Sequence, residues 1–460
     1  MKPALVAPVT RRRFLRHSAA GALAGLAFPT LISSAARATG TAAPSNQITV
    51  GLIGAGPQGL GVMRGFLAEA GARVVAVCDV KSEQLARARE LVNQHYGNQD
   101  CATFTDFRAL LARPEIDTVI VATPDHWHVL IGIAAVRAGK DVYVEKPLGH
   151  SVAEGQAMRA AVRATGRVFQ FGTQQRSSAF FRQACEIVRN GRIGQLKHIN
   201  VWCIGSVPGG STEEVPVPAG FDYDRWLGPA PLQPHRRDFC IADSAKKTWW
   251  FNTDYTLGFI AGWGVHPMDI ARWGYPALTQ GPLEVTGSGT IPNAGACDTA
   301  TTWDVNFRSA TGVTLNFQGL PIAANVRSAI SQARLWQEKY QRTVDHGTAF
   351  EGTDGWVHVD RSHVASFPAD LVKENPDAYA VRLPHSNYHA KNFLESVRSR
   401  QPTITGVEEA FQSDLLCHLS NIAVRTGRKL KWDPRLERFE NDAAASRLLA
   451  ARPMRQPWVL

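Results

Sequence analysis

A short run rich in β-branched residues, Ile48 to Ile53, leads straight into Gly54-x-Gly56-x-x-Gly59, and a helical pattern follows from Leu60 to Ala70. Strand, glycine turn and helix in that order constrain the fold more than any other feature of the chain. Gly54 permits a tight turn, Gly56 lets the backbone approach a pyrophosphate, and Gly59 lets the helix pack on its strand, so the helix start with Pro57 and Gln58 faces a diphosphate. A second apolar run, Ala72 to Cys78, ends at Asp79, 20 residues after Gly59. A carboxylate there accepts hydrogen bonds from both adenosine ribose hydroxyls and repels a 2′-phosphate, which favours NAD; nearby Lys81 would instead reward the phosphate of NADP.

The alternation continues. A helical stretch at Ser82 to Gln94 is followed by a strand at Thr118 to Ala122, a helix at Val129 to Ala138 and a strand at Asp141 to Val144. Ser151 and Glu154 form an S-x-x-E capping box for the next helix, and a strand at Arg167 to Phe171 closes the unit. Such alternation means a parallel sheet covered by helices on both faces, a Rossmann domain over residues 48–172. Beyond it lie Pro- and Gly-rich stretches, Val207 to Gly220 and Gly228 to Pro234. Val305 to Phe307 and Val313 to Phe317, joined through Ala310, Thr311 and Gly312, read as a hairpin. With amphipathic helices at Asn387 to Arg398 and Val407 to Arg425, residues 173–435 are expected to form an α+β domain on an open, largely antiparallel sheet, and 436–460 an extended tail. The fold class is α/β.

The first 38 residues look like a removable signal, with a basic start, an apolar middle from Ala19 to Ile32 and Ala36-Arg37-Ala38 as an A-x-A site. Thr10 to Arg16, TRRRFLR, resemble the twin-arginine signal, which implies export of the folded chain to a periplasmic or other extracytoplasmic space. The apolar middle is short of a bilayer span, so no integral membrane span is expected in the mature form. Residues 39–47 read as a linker. Removing the signal takes away six basic and no acidic residues, and the net charge falls from +10 to +4. That removes the main support for a nucleic-acid partner. Seven scattered cysteines with no C-x-x-C pair, and the absence of H-E-x-x-H or an acidic triad, point to buried thiols and to no metal.

The sequence DVYVEKPLG, Asp141 to Gly149, delivers Glu145, Lys146 and Pro147 to the carboxyl end of a strand, the edge where open α/β sheets bind ligands. A lysine beside a nicotinamide can hydrogen-bond or deprotonate a substrate hydroxyl. Together with Thr123-Pro124 in the preceding strand-end turn and the downstream G-x-H-x-x-D segment, this tripeptide resembles the glucose-fructose oxidoreductase and inositol dehydrogenase family (Gfo/Idh/MocA). The resemblance extends to Gly172–Ser177 (GTQQRS), Asp224–Pro231 (DRWLGPAP), Gly258–Trp273, Asn387–Phe393 and Leu430–Trp432, and is greatest to exported members.

The resemblance implies hydride transfer between a nicotinamide and a secondary alcohol of a sugar, glycoside or cyclitol. Lys146 and His266 match the family's catalytic lysine and histidine. The cofactor would be held by Gly54, Gly56, Pro57, Gln58, Gly59, Asp79, Thr123, Pro124, His128, Glu145 and Lys146. Arg176, Tyr255, Trp263, Asp269 and His389 are candidates for substrate contact, with indole rings packing on the C–H faces of a sugar. Many relatives carry an aspartate four residues before the histidine, where this chain has Gly262, and Asp254 or Asp269 is expected to substitute. Relatives associate through the open sheet, so a homo-oligomer is expected. An exported dehydrogenase must also carry its cofactor with it and recycle it in place. A redox-neutral NAD-dependent glycosidase and a non-catalytic sugar-binding protein with structural NAD are the alternatives.

Overall fold

The strands of the first sheet are apolar on both sides, as parallel strands between helical layers must be. Ile48–Ile53 (β1) is buried at all but one position, and Thr118–Val121 (β4) and Asp141–Val144 (β5) are buried throughout. With Ala72–Cys78 (β2), Ala102–Phe104 (β3) and Phe169–Phe171 (β6) they form a six-stranded parallel sheet in the order β3-β2-β1-β4-β5-β6. The connecting helices are Pro57–Leu67 (α1), Ser82–Tyr96 (α2), Phe107–Leu111 (α3), Asp125–Arg137 (α4) and Val152–Thr165 (α5). The strand order reverses between β1 and β4, and the crevice at their carboxyl ends is where such sheets bind ligands. This computed structural model of the 460-residue chain describes residues 46–241, 247–321, 336, 338–340 and 345–460. The expected signal at 1–38 and most of the linker lie outside the described residues.

Ser151 caps α5 as its sequence suggests, its hydroxyl accepting from the Glu154 amide at 3.2 Å. Glu154 returns to the amide of His150, 2.6 Å away, one residue earlier than an ideal capping box.

The second sheet has nine strands: Leu196–Ile204 (β7), Leu283–Thr290 (β8), Thr302–Ser309 (β9), Thr314–Leu320 (β10), Gly347–Gly352 (β11), Trp356–Val359 (β12), Val364–Phe367 (β13), Leu430–Asp433 (β14) and Arg438–Phe439 (β15). Their order is β13-β12-β11-β7-β10-β9-β8-β14-β15, antiparallel except for β7 beside β10. β9 and β10 are the expected hairpin, and β9 alternates buried and open residues along its length. The helices here are Ala179–Arg189 (α6), Tyr223–Leu227 (α7), Phe259–Gly262 (α8), Val265–Gly274 (α9), His389–Ser399 (α10), Val407–Thr426 (α11) and Ala443–Arg447 (α12). α9 and α11 pack against each other and against this sheet.

Two segments cross the expected boundary at residue 172. Helix α10 gives its apolar face to the first sheet, where Phe393, Leu394 and Val397 share a core with Phe66, Val50 and Tyr143. The stretch after Trp432 is not simply extended: it forms β15 and α12, then returns to the Rossmann domain. Trp458 packs on Trp127 with ring centroids 4.7 Å apart. Arg455 is bonded to Asp224 and to the Gly228 carbonyl, and Arg452 to the carbonyls of Thr253 and Asp254. Aromatic and guanidinium side chains anchor the stretch that was expected to be an extended tail.

Candidate active site

The glycine turn is built as tightly as its spacing implies. Gly54 has φ +93°, and a β-carbon there would lie 2.5 Å from the Ala122 carbonyl oxygen. A β-carbon at Gly59 would run into the Gly54 carbonyl, whereas at Gly56 it would meet nothing within 4 Å, because that backbone faces the crevice. Pro57 begins α1, so the helix start is aimed at the same space. Asp79 accepts from the amides of Ala55 at 2.7 Å and Lys81 at 2.8 Å, and a carboxylate so held keeps lone pairs for ribose hydroxyls. Lys81 itself is engaged, its ammonium bonded to the Cys240 carbonyl and 4.6 Å from the Phe221 ring centroid.

A cleft runs from Asp79 past Gly54, Gly56, Pro57 and Gln58 to Thr123, Pro124, His128, Glu145 and Lys146. Thr123 Oγ1 is buried there without a partner among the described residues, as a hydroxyl reserved for a ligand would be. The His128 ring bridges the carbonyls of Thr123 and Pro147, 2.8 and 2.7 Å away, and so ties the two strand-end turns together. Glu145 is fixed by Gln174 Nε2 at 2.8 Å; a β-carbon at Gly172 would sit 2.7 Å from its carboxylate. These residues fit a dinucleotide.

A second cavity shares Gln58, Asp125, Lys146 and Trp250 with the first. Lys146 enters it from the end of β5 and His266 from the first turn of α9, together with Trp263, Gly262, Gln175 and Arg361. His266 Nδ1 is buried and has no hydrogen-bond partner among the described residues. Burial, then the charges of Lys146 and Arg361, hold the imidazole well below its usual range, so the ring is neutral and can accept a proton.

The carboxylate at this junction is Asp125, at the start of α4. It is buried and accepts from Thr256 Oγ1 at 2.6 Å. Burial pushes its carboxyl up to about 7, against the opposing effects of the Thr256 bond and the charge of Lys146. Asp254 and Asp269, the expected substitutes for an acid at position 262, do not line this cavity, so that expectation is corrected. Asp254 lies by Arg452. Asp269 is gripped by Arg176 Nε and Nη2 at 2.7 and 2.6 Å and by Ser413 Oγ at 2.6 Å. Position 262 itself is roomy: a β-carbon there would approach nothing closer than Phe259, at 3.8 Å.

Other expected substrate contacts are also placed elsewhere. Arg176 is spent on Asp269 and stacks near Trp273, fully inside the protein. His389 is a brace, its ring nitrogens 2.8 Å from the Phe171 carbonyl and 2.8 Å from Ser177 Oγ. Tyr255 belongs to an aromatic core with Trp226, His126 and Phe239. Of the expected substrate contacts, only Trp263 lines the cavity with Lys146 and His266.

The dinucleotide cleft has walls that its motif does not announce. Residues 220–222 hydrogen-bond to the chain just after Asp79, Ser82 N to the Gly220 carbonyl at 2.8 Å and Asp222 N to the Val80 carbonyl at 2.9 Å. This strap brings Arg225 and Trp226 to the cleft, and the C-terminal segment adds Trp458. The tryptophan and arginines of the tail were the available sequence signal.

Comparison with known proteins agrees with this geometry. Residues 48–173 match the model of an oxidoreductase family with an NAD-binding Rossmann fold, and residues 342–460 match that family's C-terminal alpha/beta domain. A glycosyl hydrolase family 109 protein 2 of Shewanella sp. (strain ANA-3) is 32% identical over 218 residues, 41% of this chain and 44% of that protein. The uncharacterized oxidoreductase YrbE of Bacillus subtilis (strain 168) is 28% identical over 198 residues, 43% and 53%. The chain thus spans about half the length of the curated relatives it matches. The WlbA dehydrogenase from Bordetella pertussis, crystallised with NADH and UDP-GlcNAcA, shares the fold with a TM-score of 0.60 at 17% identity, covering 83% of this chain and 98% of that one. For the aldose-aldose oxidoreductase from Caulobacter crescentus the values are 0.58, 19%, 84% and 99%.

Proposed function

The chain belongs to the Gfo/Idh/MocA oxidoreductase family, and from that premise we propose that it transfers hydride between NAD and a secondary hydroxyl of a sugar, glycoside or cyclitol. The observation that carries this reading is the shared wall of the two cavities, where Lys146 stands at the meeting of the dinucleotide cleft and the His266 cavity. When bound, the nicotinamide supplies a hydride acceptor or donor. The protein's own residues do the rest. Lys146 holds the reacting oxygen by hydrogen bond, and neutral His266 takes the hydroxyl proton in the oxidising direction. Asp125, when ionised, balances the Lys146 charge and steadies its ammonium.

Asp79 supports NAD rather than NADP, since Lys81 is tethered away to Cys240 and Phe221. In our reading the cofactor is retained and recycled. The strap at 220–222 and the Trp458 segment both close on the cleft, and a cofactor enclosed in this way dissociates slowly. Retention suits the proposed export of the folded chain by its twin-arginine signal to a periplasmic or extracytoplasmic space. Among the described residues no helix is long and apolar enough to cross a membrane. The open second sheet is the proposed face for a homo-oligomer. Mass spectrometry of the nicotinamide released on denaturation tests retention: finding none would remove it.

A second reading, a redox-neutral NAD-dependent glycosidase, is favoured by the glycosyl hydrolase family 109 relatives. It uses the same lysine and cofactor but frees an aglycone with no net reduction, so assaying glycosides for both absorbance change and aglycone separates the two.

A further inference from the structure

Arg361 sits in the turn between β12 and β13 and reaches the wall of the cavity that holds Lys146 and His266. Its guanidinium lies 4.4 Å from the centroid of the Trp263 ring. An indole face restrains the plane of the fork without consuming any of its N–H donors. The Gln175 amide, in the orientation that satisfies both its ends, accepts from Arg361 Nε and donates to the His266 carbonyl, each at 3.2 Å. One side chain therefore braces both the arginine and the start of α9. Among the described residues no carboxylate is ion-paired with Arg361; Asp345, whose charge it feels, is bonded to His346 at 2.7 Å.

Charge in the cavity points the same way. Lys146 and Arg361 contribute two fixed positive charges, and Asp125 is the single acid among the described lining residues. Ionised Asp125 balances Lys146, which leaves the Arg361 guanidinium without a counter-charge among the described lining residues, and proton transfer from a substrate hydroxyl to His266 adds no net charge because it leaves an alkoxide. A neutral sugar leaves this excess uncompensated, whereas an anionic one offsets it and is drawn in by the same field.

We infer that the substrate is a sugar acid whose carboxylate docks on the Nη1–Nη2 edge of Arg361 while its reacting hydroxyl lies between Lys146 and His266, an assignment that rests on the oxidoreductase reading above. The planar fork offers two parallel N–H bonds that match the two oxygens of a carboxylate. A tetrahedral phosphate shares the charge but not the planarity.

The protein as purified, with its own cofactor, is titrated with a methyl uronide, the matching neutral methyl glycoside and a hexose phosphate. Calorimetry reads binding, and near-ultraviolet absorbance reads reduction of the bound nicotinamide. The uronide is expected to bind at least about tenfold more tightly than the other two. Arg361→Gln brings that preference to within about threefold, and Arg361→Lys, which keeps the charge but not the fork, recovers only part of it. Equal binding of the neutral glycoside, tighter binding of the phosphate, or an undiminished preference in Arg361→Gln overturns the assignment. Selective binding of the uronide without any absorbance change keeps the carboxylate subsite and removes the oxidoreductase reading. Absorbance change with every sugar and no selectivity does the reverse.

Discussion

Arg176 grips Asp269 through two N–H···O bonds of 2.7 and 2.6 Å, with both side chains removed from solvent. Asp269 lies one helical turn after His266, yet its carboxylate is committed to Arg176 and Ser413. Removing one partner strands a buried charge, whereas replacing both with apolar groups does not. Asp269→Ala is expected to lower stability by about 3–5 kcal/mol in denaturant unfolding, and Arg176→Met with Asp269→Leu to recover most of it. An Asp269→Ala protein as stable as wild type would mean that the pair is not what holds the Gln174–Ser177 turn, α9 and α11 together.

Lys146→Ala is expected to lower turnover by about 10²–10⁴-fold, and His266→Ala by a similar factor, in line with losing a positioned proton-transfer group. The nicotinamide content after denaturation should stay close to wild type in His266→Ala, because His266 lines the second cavity and not the dinucleotide cleft.

Asp125 titrates near neutrality because burial raises its carboxyl to about 7, with Lys146 and Asp414 the charges that act on it. The sign follows from the raised value. The folded protein holds this proton where an exposed carboxyl has already lost it, so this group's contribution to stability falls as pH rises from the ordinary carboxylate range to about 7. Above that the ionised carboxylate balances Lys146. Turnover is expected to rise through pH 7 with an inflection that Asp125→Asn abolishes, while neutral His266 contributes no inflection of its own there. An unchanged profile in Asp125→Asn would assign the titration to another group.

The space at position 262 permits a direct test of electrostatics at His266. Gly262→Asp is sterically tolerated, since a β-carbon there approaches Phe259 no closer than 3.8 Å. A carboxylate one turn before His266 opposes the positive charges of Lys146 and Arg361 and raises the imidazole's proton affinity. In an Asp125→Asn background, which removes the inflection near pH 7, the remaining low-pH limb is expected to move to higher pH with Gly262→Asp; a limb that stays in place would separate His266 from the rate-limiting proton transfer.

Deleting residues 452–460 removes Trp458 from the cleft and the Arg452 and Arg455 anchors. The truncated protein is expected to lose bound nicotinamide on dialysis faster than wild type, measured by the absorbance of the dialysate. Equal retention would leave the strap at residues 220–222 as the element that holds the cofactor.

The dinucleotide half was legible because its signals are local. A β-run, three glycines and an acid lie within 32 residues, from Ile48 to Asp79, and each has a steric or hydrogen-bonding reason that the coordinates express at Gly54, Gly59 and Asp79. The substrate half depends on which way side chains turn, and spacing does not carry that. Asp269 and His266 are three residues apart on one helix yet face different surroundings. Arg176 and His389 read as polar contacts but are consumed by buried partners. Asp125, Arg361 and Trp458 come to the site from segments far apart in the chain. Asp125 had a local clue, following Thr123-Pro124 at a strand end, and Trp458 had the tail's own aromatic and basic residues, whereas Arg361 had none.

The most direct measurement is the near-ultraviolet absorbance of the purified protein, carrying the nicotinamide it was made with, on mixing with a panel of secondary-alcohol sugars and sugar acids. Hydride transfer at the Lys146–His266 cavity predicts that at least one substrate converts bound NAD to its reduced form, and that Lys146→Ala loses this change. Protein that holds NAD yet shows no absorbance change and frees no product with any of them would contradict it.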